Sequence, residues 1–255
     1  MADSEVIVEK IDKTLVIKIN RPGARNAVNG ATARAIAEAV DELDASDDVA
    51  VGVLTGEGGT FCSGMDLKGF LTGDRPSIEG RGFAGLVQAP PRKPLIAAVE
   101  GYALAGGCEL ALACDMVVAA DDAKFGLPEV KRGLVPTGGG ALRLPKQLPY
   151  HLAMELLLTG EWLTADRAHH FGFVNRLTPA GGSLDAALEI AATISANGPL
   201  AVEAIKRIVV ESQDWSDQEA FKRQREISDP IFGTADAKEG ARAFAEKRSP
   251  VWVRA

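Results

Sequence analysis

The chain has 255 residues, and its 28 Lys and Arg against 35 Asp and Glu give a formal net charge of −7. This length suits one large domain, or one domain with an appendage, that folds without disulfides or a structural metal. The acidic balance disfavours general binding to nucleic acids or anionic membranes, and the average hydrophobic content excludes a largely disordered chain.

The first three quarters of the chain alternate between strand and helix patterns. Residues 6–19 alternate apolar and polar side chains around Asp12-Lys13, which predicts a hairpin. Apolar positions from Ala33 to Leu43 recur at helical spacing, as they do again from Cys108 to Cys114. Short apolar runs predict further strands at Val49–Thr55, Pro94–Val99, Met116–Ala120, Lys124–Phe125 and Val174–Leu177. This order predicts an α/β core with parallel strands.

The last quarter has helical patterns throughout, at Leu184–Ala196, Pro199–Ser212, Ser216–Ser228 and Ala235–Lys247. Pro199 suits a first helical position, and Ser216 to Glu219 has the sequence of a capping box. A helical segment after an α/β core is typical of an interface or a lid. Residues 71–81, rich in Gly, Pro and charge, are predicted to form a mobile loop.

Cysteines and histidines are too few and too irregularly spaced to predict a metal site. Cys62, Cys108 and Cys114 are expected to be buried thiols in a reducing compartment. The N-terminus has no charged segment followed by an apolar one, and no apolar run approaches the roughly 20 residues that span a bilayer. We therefore expect a cytoplasmic protein.

Two glycine turns that follow predicted strands are candidates for binding a ligand oxygen. In GYALAGGCELALA (101–113), Gly106 and Gly107 precede an apolar helix, whose first N–H groups point outward and carry partial positive charge. In FCSGMDLK (61–68), Gly64 precedes a polar helix start. Backbone donors from both turns could converge on one oxyanion. From spacing alone, a helix N-terminus with glycine placed for close packing and Glu109 matched to the helix dipole is the favoured explanation of Gly106 and Gly107.

Two carboxylates accompany these turns. Glu109 lies in the first turn of the predicted helix, and Glu129 follows Pro128. Two carboxylates beside two N–H donors suit proton transfer on a carbonyl compound, although Glu129 also fits an ordinary surface position.

Other glycine clusters are less informative. Gly56 to Gly59 lacks the third glycine of a dinucleotide fingerprint, because position 61 is Phe, and no P-loop sequence occurs. Gly138–Gly140, before Ala-Leu-Arg-Leu, predicts either a helix start beside a ligand or a simple turn.

Several long segments resemble the enoyl-CoA hydratase (crotonase) family, in order over nearly the whole chain: INRPGARNAV, GGTFCSGMDLK, KPLIAAVEGYALAGGCELALACD, AKFGLPEVKRGLVPTGGG and AFAEKRSPVW. The resemblance implies the crotonase fold, an α/β spiral of repeated β-β-α units followed by helices that form trimers. It implies a core at residues 1–195 that binds acyl-CoA. Residues 196–255 would form a helical region for trimerisation that also covers the active site. The assembly would be a homotrimer or a dimer of trimers.

Carried over residue by residue, the resemblance implies roles for the candidate residues. The amides of Met65 and Gly106 would bind the thioester oxygen, with Glu109 chiefly the base and Glu129 chiefly the acid. Residues at the CoA or substrate site would be Arg25, Ala27, Ser63, Asp66, Leu67, Lys68, Gly107 and Lys247, the last near the CoA phosphates of its own or a neighbouring subunit. The reaction would be reversible addition of water to a trans-2-enoyl-CoA in fatty-acid or related acyl-CoA metabolism. It would need no metal and no cofactor beyond the CoA of the substrate.

The chain departs from the commonest family pattern at two positions. Ala105 stands where many relatives have a third consecutive glycine, and Met65 is bulkier than the usual alanine. Neither change removes a backbone donor, but both can reshape the acyl pocket.

The sequence leaves alternatives open, both within the family and in other functional classes. FGLPEVKRGLVP and the C-terminal tail also resemble carnitinyl-CoA dehydratases, and an enoyl-CoA isomerase would need a single carboxylate. A serine hydrolase using Ser63 and a histidine lacks the GxSxG sequence. Non-enzymatic RNA binding through Lys206-Arg207 or Lys222–Arg225 conflicts with the acidic balance.

Overall fold

The computed structural model describes residues 4–255, which form eleven strands and ten α-helices. The strands are β1 (Val6–Ile11), β2 (Thr14–Ile19), β3 (Val51–Gly56), β4 (Ser77–Ile78), β5 (Gly82–Phe83), β6 (Leu95–Val99), β7 (Tyr102–Leu104), β8 (Met116–Ala120), β9 (Lys124–Gly126), β10 (Leu163–Thr164) and β11 (Arg176–Thr178). The helices are α1 (Gly30–Ala45), α2 (Leu67–Leu71), α3 (Gly106–Ala113), α4 (Gly140–Gln147), α5 (Tyr150–Thr159), α6 (Ala165–His170), α7 (Ser183–Ser195), α8 (Pro199–Glu211), α9 (Asp217–Phe232) and α10 (Ala235–Glu246).

The larger sheet has the strand order β1-β2-β3-β6-β8-β11. β1 and β2 form the predicted antiparallel hairpin, and every other neighbouring pair is parallel. A smaller sheet has the order β10-β9-β7, and Cys62 joins it through a bridge to Ala103. The chain thus passes repeatedly from the larger sheet to the smaller sheet and then into a helix, as in β6-β7-α3 and β8-β9-α4. This path confirms the predicted β-β-α repetition.

Both faces of the larger sheet are covered, which explains the continuous apolar runs of its central strands. One face packs with α1, α3 and α5 into the main core, where Leu54, Ala97 and Leu110 are fully buried. The other face, including Val53 and Ile96, packs against α7. The sheet therefore holds the loops at its strand ends in fixed positions.

The three C-terminal helices α8, α9 and α10 bury few residues. Ile227 is the one buried residue of α9, and the exposed fractions of Phe221, Phe232 and Phe244 are 73%, 79% and 86%. An apolar side chain exposed to this degree is common singly, but several on neighbouring helices mark an interaction surface.

Three local predictions differ from the structure. Ser216 precedes α9, but its hydroxyl contacts the Glu219 carboxylate at 3.2 Å instead of accepting a backbone N–H, so the capping box is not formed. The strand predicted at Val174–Leu177 begins only at Arg176, because Asn175 uses its backbone N–H and side chain to bond Val117. The segment 71–81 is partly ordered, since β4 pairs with β5 as a short hairpin.

No helix in the described part of the chain is long and apolar enough to span a bilayer. All three cysteines are free and buried, and burial raises the pKa of the Cys62 and Cys108 thiols to about 12.

Candidate active site

The loop after β3 carries the first predicted donor, the amide of Met65; we call residues 62–68 the Met65 turn. Met65 pairs with Val28 in a parallel bridge, in which the Val28 N–H donates to Gly64 O (2.8 Å) and the Asp66 N–H donates to Val28 O (2.9 Å). In such a bridge the N–H of the central residue points away from the partner strand. Among residues 4–255, no acceptor bonds the Met65 N–H.

The second predicted donor, Gly106, is the first residue of α3; we call residues 104–109 the Gly106 turn. A first helical residue has no acceptor for its N–H within the helix. Ala105, just before it, has φ +50° and ψ −124°, a conformation that L-residues rarely adopt. Its N–H donates to Gly126 O at 2.8 Å, which ties the turn to β9.

The two turns are in direct contact. Cys62 exchanges backbone hydrogen bonds with β7, donating to Tyr102 O (2.9 Å) and accepting from Leu104 N–H (3.0 Å). A Cβ added to Gly107 would lie 2.0 Å from Cys62 O, and one added to Gly64 would lie 3.1 Å from Gly106 N. Glycine is therefore required for this close approach, which brings the two predicted donors to one location.

Glu109 is buried on α3, and its carboxylate contacts a third glycine segment, Gly138–Gly140, which we call the glycine turn. The Gly140 N–H donates to Glu109 Oε1 at 2.9 Å, and a Cβ at Gly138 would lie 2.5 Å from Oε2. Burial raises the pKa of Glu109 to about 7; the charge of Glu129 adds to this, whereas the Gly140 N–H and Arg143 oppose it. A carboxyl group with this pKa exchanges protons readily near neutral pH.

Glu129 lies in a 3₁₀ turn, Pro128–Arg132, and is half-buried rather than on the surface. Its Oε2 is shielded from solvent, and nothing in the described chain forms a hydrogen bond to it. Burial raises the pKa of Glu129 as well. A shielded carboxyl oxygen without a partner is uncommon in proteins and fits a position where water or substrate binds.

The structure places some of the other predicted substrate-site residues at the Met65 turn. Arg25 O accepts the Ser63 N–H at 3.1 Å, so the segment that contains Arg25 and Ala27 contacts this turn. Leu67 and Lys68 are exposed at the start of α2. Lys247 is exposed at the end of α10 and forms no hydrogen bond to either donor turn.

The Asp66 carboxylate is already engaged. It accepts from Arg21 Nη2 at 2.9 Å and from the Lys68 and Gly69 N–H groups at the start of α2. The hydrogen bond from Arg21 is the main reason that the pKa of Asp66 is lowered. The side chain of Asp66 thus orders the Met65 turn, and any contact of this residue with CoA stays a prediction.

Two other arrangements considered from the sequence find no support in residues 4–255. No three His, Cys, Asp or Glu side chains there are grouped so as to hold a metal ion. Of the three histidines, His169 uses Nδ1 to contact Val174 O at 2.9 Å, and none forms a hydrogen bond to Ser63. A serine–histidine pair is therefore not present.

A model of the enoyl-CoA hydratase/isomerase family matches residues 9–255. The chain belongs to this family. It is 45% identical to enoyl-CoA hydratase EchA19 of Mycobacterium tuberculosis, over 96% of this chain and 95% of that protein. It is 41% identical to carnitinyl-CoA dehydratase of Proteus mirabilis, over 93% and 94%.

A solved member of the family confirms the fold. The crystal structure of enoyl-CoA hydratase EchA1 from Mycobacterium marinum superimposes with a TM-score of 0.98 at 59% identity, over 99% of this chain and 100% of that one. The predicted crotonase fold, a mixed α/β core with a helical C-terminal region, is therefore correct.

Two arginines that contact the candidate site of this chain were not identified from the sequence. Arg21 holds Asp66, and Arg143 contacts the glycine turn through Gly138 O at 3.3 Å. Both lie within segments already noted in the sequence, INRPGARNAV and the Ala-Leu-Arg-Leu after Gly140, but nothing in these segments shows which atoms the guanidinium groups contact.

Proposed function

We propose that the protein is an enoyl-CoA hydratase, which adds water reversibly to a trans-2-enoyl-CoA to give a 3-hydroxyacyl-CoA. The observation that carries the proposal is the contact between the Met65 and Gly106 turns, whose two available N–H groups accompany the buried carboxyl group of Glu109 and the half-buried one of Glu129. The family relationship and the hydratase names of its relatives support it.

The two N–H groups would stabilise the charge that develops on the thioester oxygen. As water attacks the β-carbon, electrons move through the α,β double bond and the thioester oxygen becomes an enolate oxygen. Two donors held in place before the reaction act on this charge without reorganising, and each contributes about 2.7–4 kcal/mol to lowering the barrier. Both donors are backbone groups, so side-chain changes at Met65 leave them in place.

The two glutamates would divide the proton transfers. Ionised Glu109 accepts one proton from the attacking water, whose oxygen forms the new bond to the β-carbon. Protonated Glu129 delivers a proton to the α-carbon, which completes the addition of H and OH. The carboxyl groups share a buried environment, and their titrations are linked. This reaction requires no metal and no cofactor, since CoA arrives with the substrate.

The test is turnover of crotonyl-CoA and a longer 2-enoyl-CoA, followed by loss of the ultraviolet absorbance of the conjugated thioester. Glu109→Gln and Glu129→Gln should each lower kcat by about 100-fold or more, because each removes one proton transfer. Glu155→Gln is the control, since Glu155 is an exposed residue paired with Arg167. Activity near the wild-type level in both active-site variants would contradict the mechanism.

A second candidate, dehydration of carnitinyl-CoA, uses the same groups in the opposite direction. The identity to the Proteus mirabilis enzyme over most of both chains favours it. An acyl-CoA panel that includes carnitinyl-CoA separates the two, because the preferred acyl group has the larger kcat/KM. An isomerase is disfavoured by the presence of both glutamates.

We further propose that residues 1–195 form the acyl-CoA core and that residues 196–255 assemble the chain into a homotrimer or a dimer of trimers. α7 packs on the larger sheet, whereas α8–α10 expose Phe221, Phe232 and Phe244. Light scattering should give three or six times the chain mass, and a monomer would contradict the assembly. The cytoplasmic location stays a prediction.

A further inference from the structure

Arg143 connects three segments: α4, the glycine turn and the segment after β5. It lies in the first turn of α4, where its side chain is half-buried. Nη2 donates to Val87 O at 2.6 Å, in the segment after β5, and Nη1 contacts Gly138 O at 3.3 Å. The guanidinium group therefore ties the glycine turn to a buried neighbouring segment.

The glycine turn is the segment that holds the Glu109 carboxylate. Gly140 donates its N–H to Oε1, and Gly138 lies against Oε2. Gly139 lies against the guanidinium group, since a Cβ there would be 2.3 Å from Arg143 Nη1. The three glycines thus allow a carboxylate and a guanidinium group to contact the same short turn, and movement of Arg143 would move the donor to Glu109.

Arg143 also acts on the charge of Glu109. Burial and the Gly140 N–H shift the pKa of Glu109 most; among charged groups, Glu129 from the turn that follows β9 raises it, and Arg143 from α4 lowers it to a smaller extent. The charge of Arg132 lowers the pKa of Glu129. The Cys108 thiol, next to Glu109 in the chain, is buried and neutral. Burial disfavours the ionised form of Glu109, as does Glu129 when it is itself ionised, whereas Arg143 favours it. Burial of Arg143 itself strengthens this interaction, because little water screens it.

We propose that Arg143 is a positioning residue for the hydration step: it fixes the glycine turn that binds Glu109, and its positive charge favours the ionised carboxylate that abstracts the proton. The proposal rests on the proposed hydratase function. It assigns a purpose to Gly138–Gly140 that differs from direct ligand binding. It also distinguishes Arg143 from the catalytic residues, because Arg143 acts through Glu109.

The test compares pH profiles of kcat/KM. In Arg143→Gln the acidic limb should move to higher pH, because Glu109 then holds its proton more tightly. At pH 7 kcat should fall about tenfold, while KM changes less than about threefold, since CoA binding is untouched. Arg143→Lys should keep the limb near its wild-type position and lose part of the rate, because it keeps the charge without the paired hydrogen bonds.

Arg81→Gln is the matched control. Arg81 also binds a carbonyl of the same segment, Gly85 O at 2.8 Å, but its guanidinium group pairs with Asp41 instead of facing the active site. Loss of the Arg81 side chain should leave both limbs of the pH profile of kcat/KM in place. Arg143→Met provides a second neutral variant that keeps the apolar part of the side chain, for use if Arg143→Gln does not fold.

Infrared titration gives a result that does not depend on turnover. The carboxyl band of protonated Glu109, identified by its loss in Glu109→Gln, should titrate at higher pH in the neutral Arg143 variants than in the wild type. An unchanged band and an unchanged acidic limb would overturn the proposal, even where the rate falls. If the wild type hydrates no acyl-CoA, the proposed function fails, and the infrared shift still decides the effect of Arg143 on Glu109.

Discussion

The two donor turns of the candidate site are built in opposite ways. The Gly106 turn begins α3, whose eight residues are all buried, and close packing against Cys62 fixes it. The Met65 turn leads into α2, which has no buried residue, and polar contacts fix it, chiefly Asp66 with Arg21 and the backbone bonds to Val28. Close packing therefore adds to the backbone hydrogen bonds at the Gly106 turn, whereas the Met65 turn depends on polar contacts alone. The Gly106 turn should therefore be sensitive to added atoms, and the Met65 turn should be sensitive to changes of charge.

The largest effect should come from adding one methyl group between the turns. In Gly107→Ala the new Cβ meets the backbone oxygen of Cys62, which is held in the small sheet, so the turns must separate. We expect a destabilisation of about 1–3 kcal/mol and a loss of about 100-fold in kcat, because a shift of about 1 Å misplaces the donors. Urea unfolding and hydration kinetics measure the two effects. Gly23→Ala, where a Cβ meets no atom within 4 Å, should change the free energy of unfolding and kcat only slightly.

A smaller effect should follow loss of charge at the Met65 turn. Asp66→Asn removes the ion pair with Arg21 but keeps an oxygen that can cap α2, so the cost is that of the charged hydrogen bond, about 1.5–2 kcal/mol at pH 7. Because the pKa of Asp66 is lowered in the folded state, its contribution is present above the unfolded pKa and is lost as the pH falls through the folded value. The difference in the free energy of unfolding between Asp66→Asn and the wild type should therefore narrow below about pH 4. A thermal-midpoint difference that stays constant from pH 7 to pH 3 would contradict this account.

The smallest effect should come from Ala105→Gly, which relieves the backbone strain at this position. Its φ of +50° with ψ of −124° costs about 1–3 kcal/mol in a non-glycine residue, whereas glycine adds about 0.4–1 kcal/mol of unfolded-state entropy. Ala105→Gly should therefore raise the free energy of unfolding by about 1 kcal/mol and the melting temperature by a few degrees. Ala103→Gly, in the adjacent strand and without positive φ, should lower the melting temperature instead. Equal changes in both variants would show that Ala105 is not strained.

Much of the fold could be predicted because its signals are local. The continuous apolar runs of β3, β6 and β8 and the glycines before α3 lie within short windows of sequence. The boundary of β11 was wrong because Asn175 bonds Val117, a contact across 58 residues of sequence. The Ser216 cap was wrong because the hydroxyl has a carboxylate within reach and bonds it in preference to a backbone N–H.

The candidate site could be predicted only in part. The resemblance identifies Glu109 and Glu129, but the spacing alone leaves Glu129 as a surface residue, since its burial depends on how Pro128 and the following turn pack. Likewise, Gly138–Gly140 lies about thirty residues after Glu109, and only the fold brings the Gly140 N–H to its carboxylate. The geometry is thus specified by contacts between distant segments, which no single motif contains.

The buried thiols bear on the proposed substrate, which is a conjugated thioester. Such compounds are Michael acceptors and alkylate thiolates. Cys62 belongs to the Met65 turn and Cys108 adjoins Glu109, yet burial raises the pKa of both thiols to about 12. At neutral pH nearly every molecule carries them as unreactive thiols. The same burial that packs the two turns together therefore keeps both cysteines in the form that such an acceptor does not alkylate.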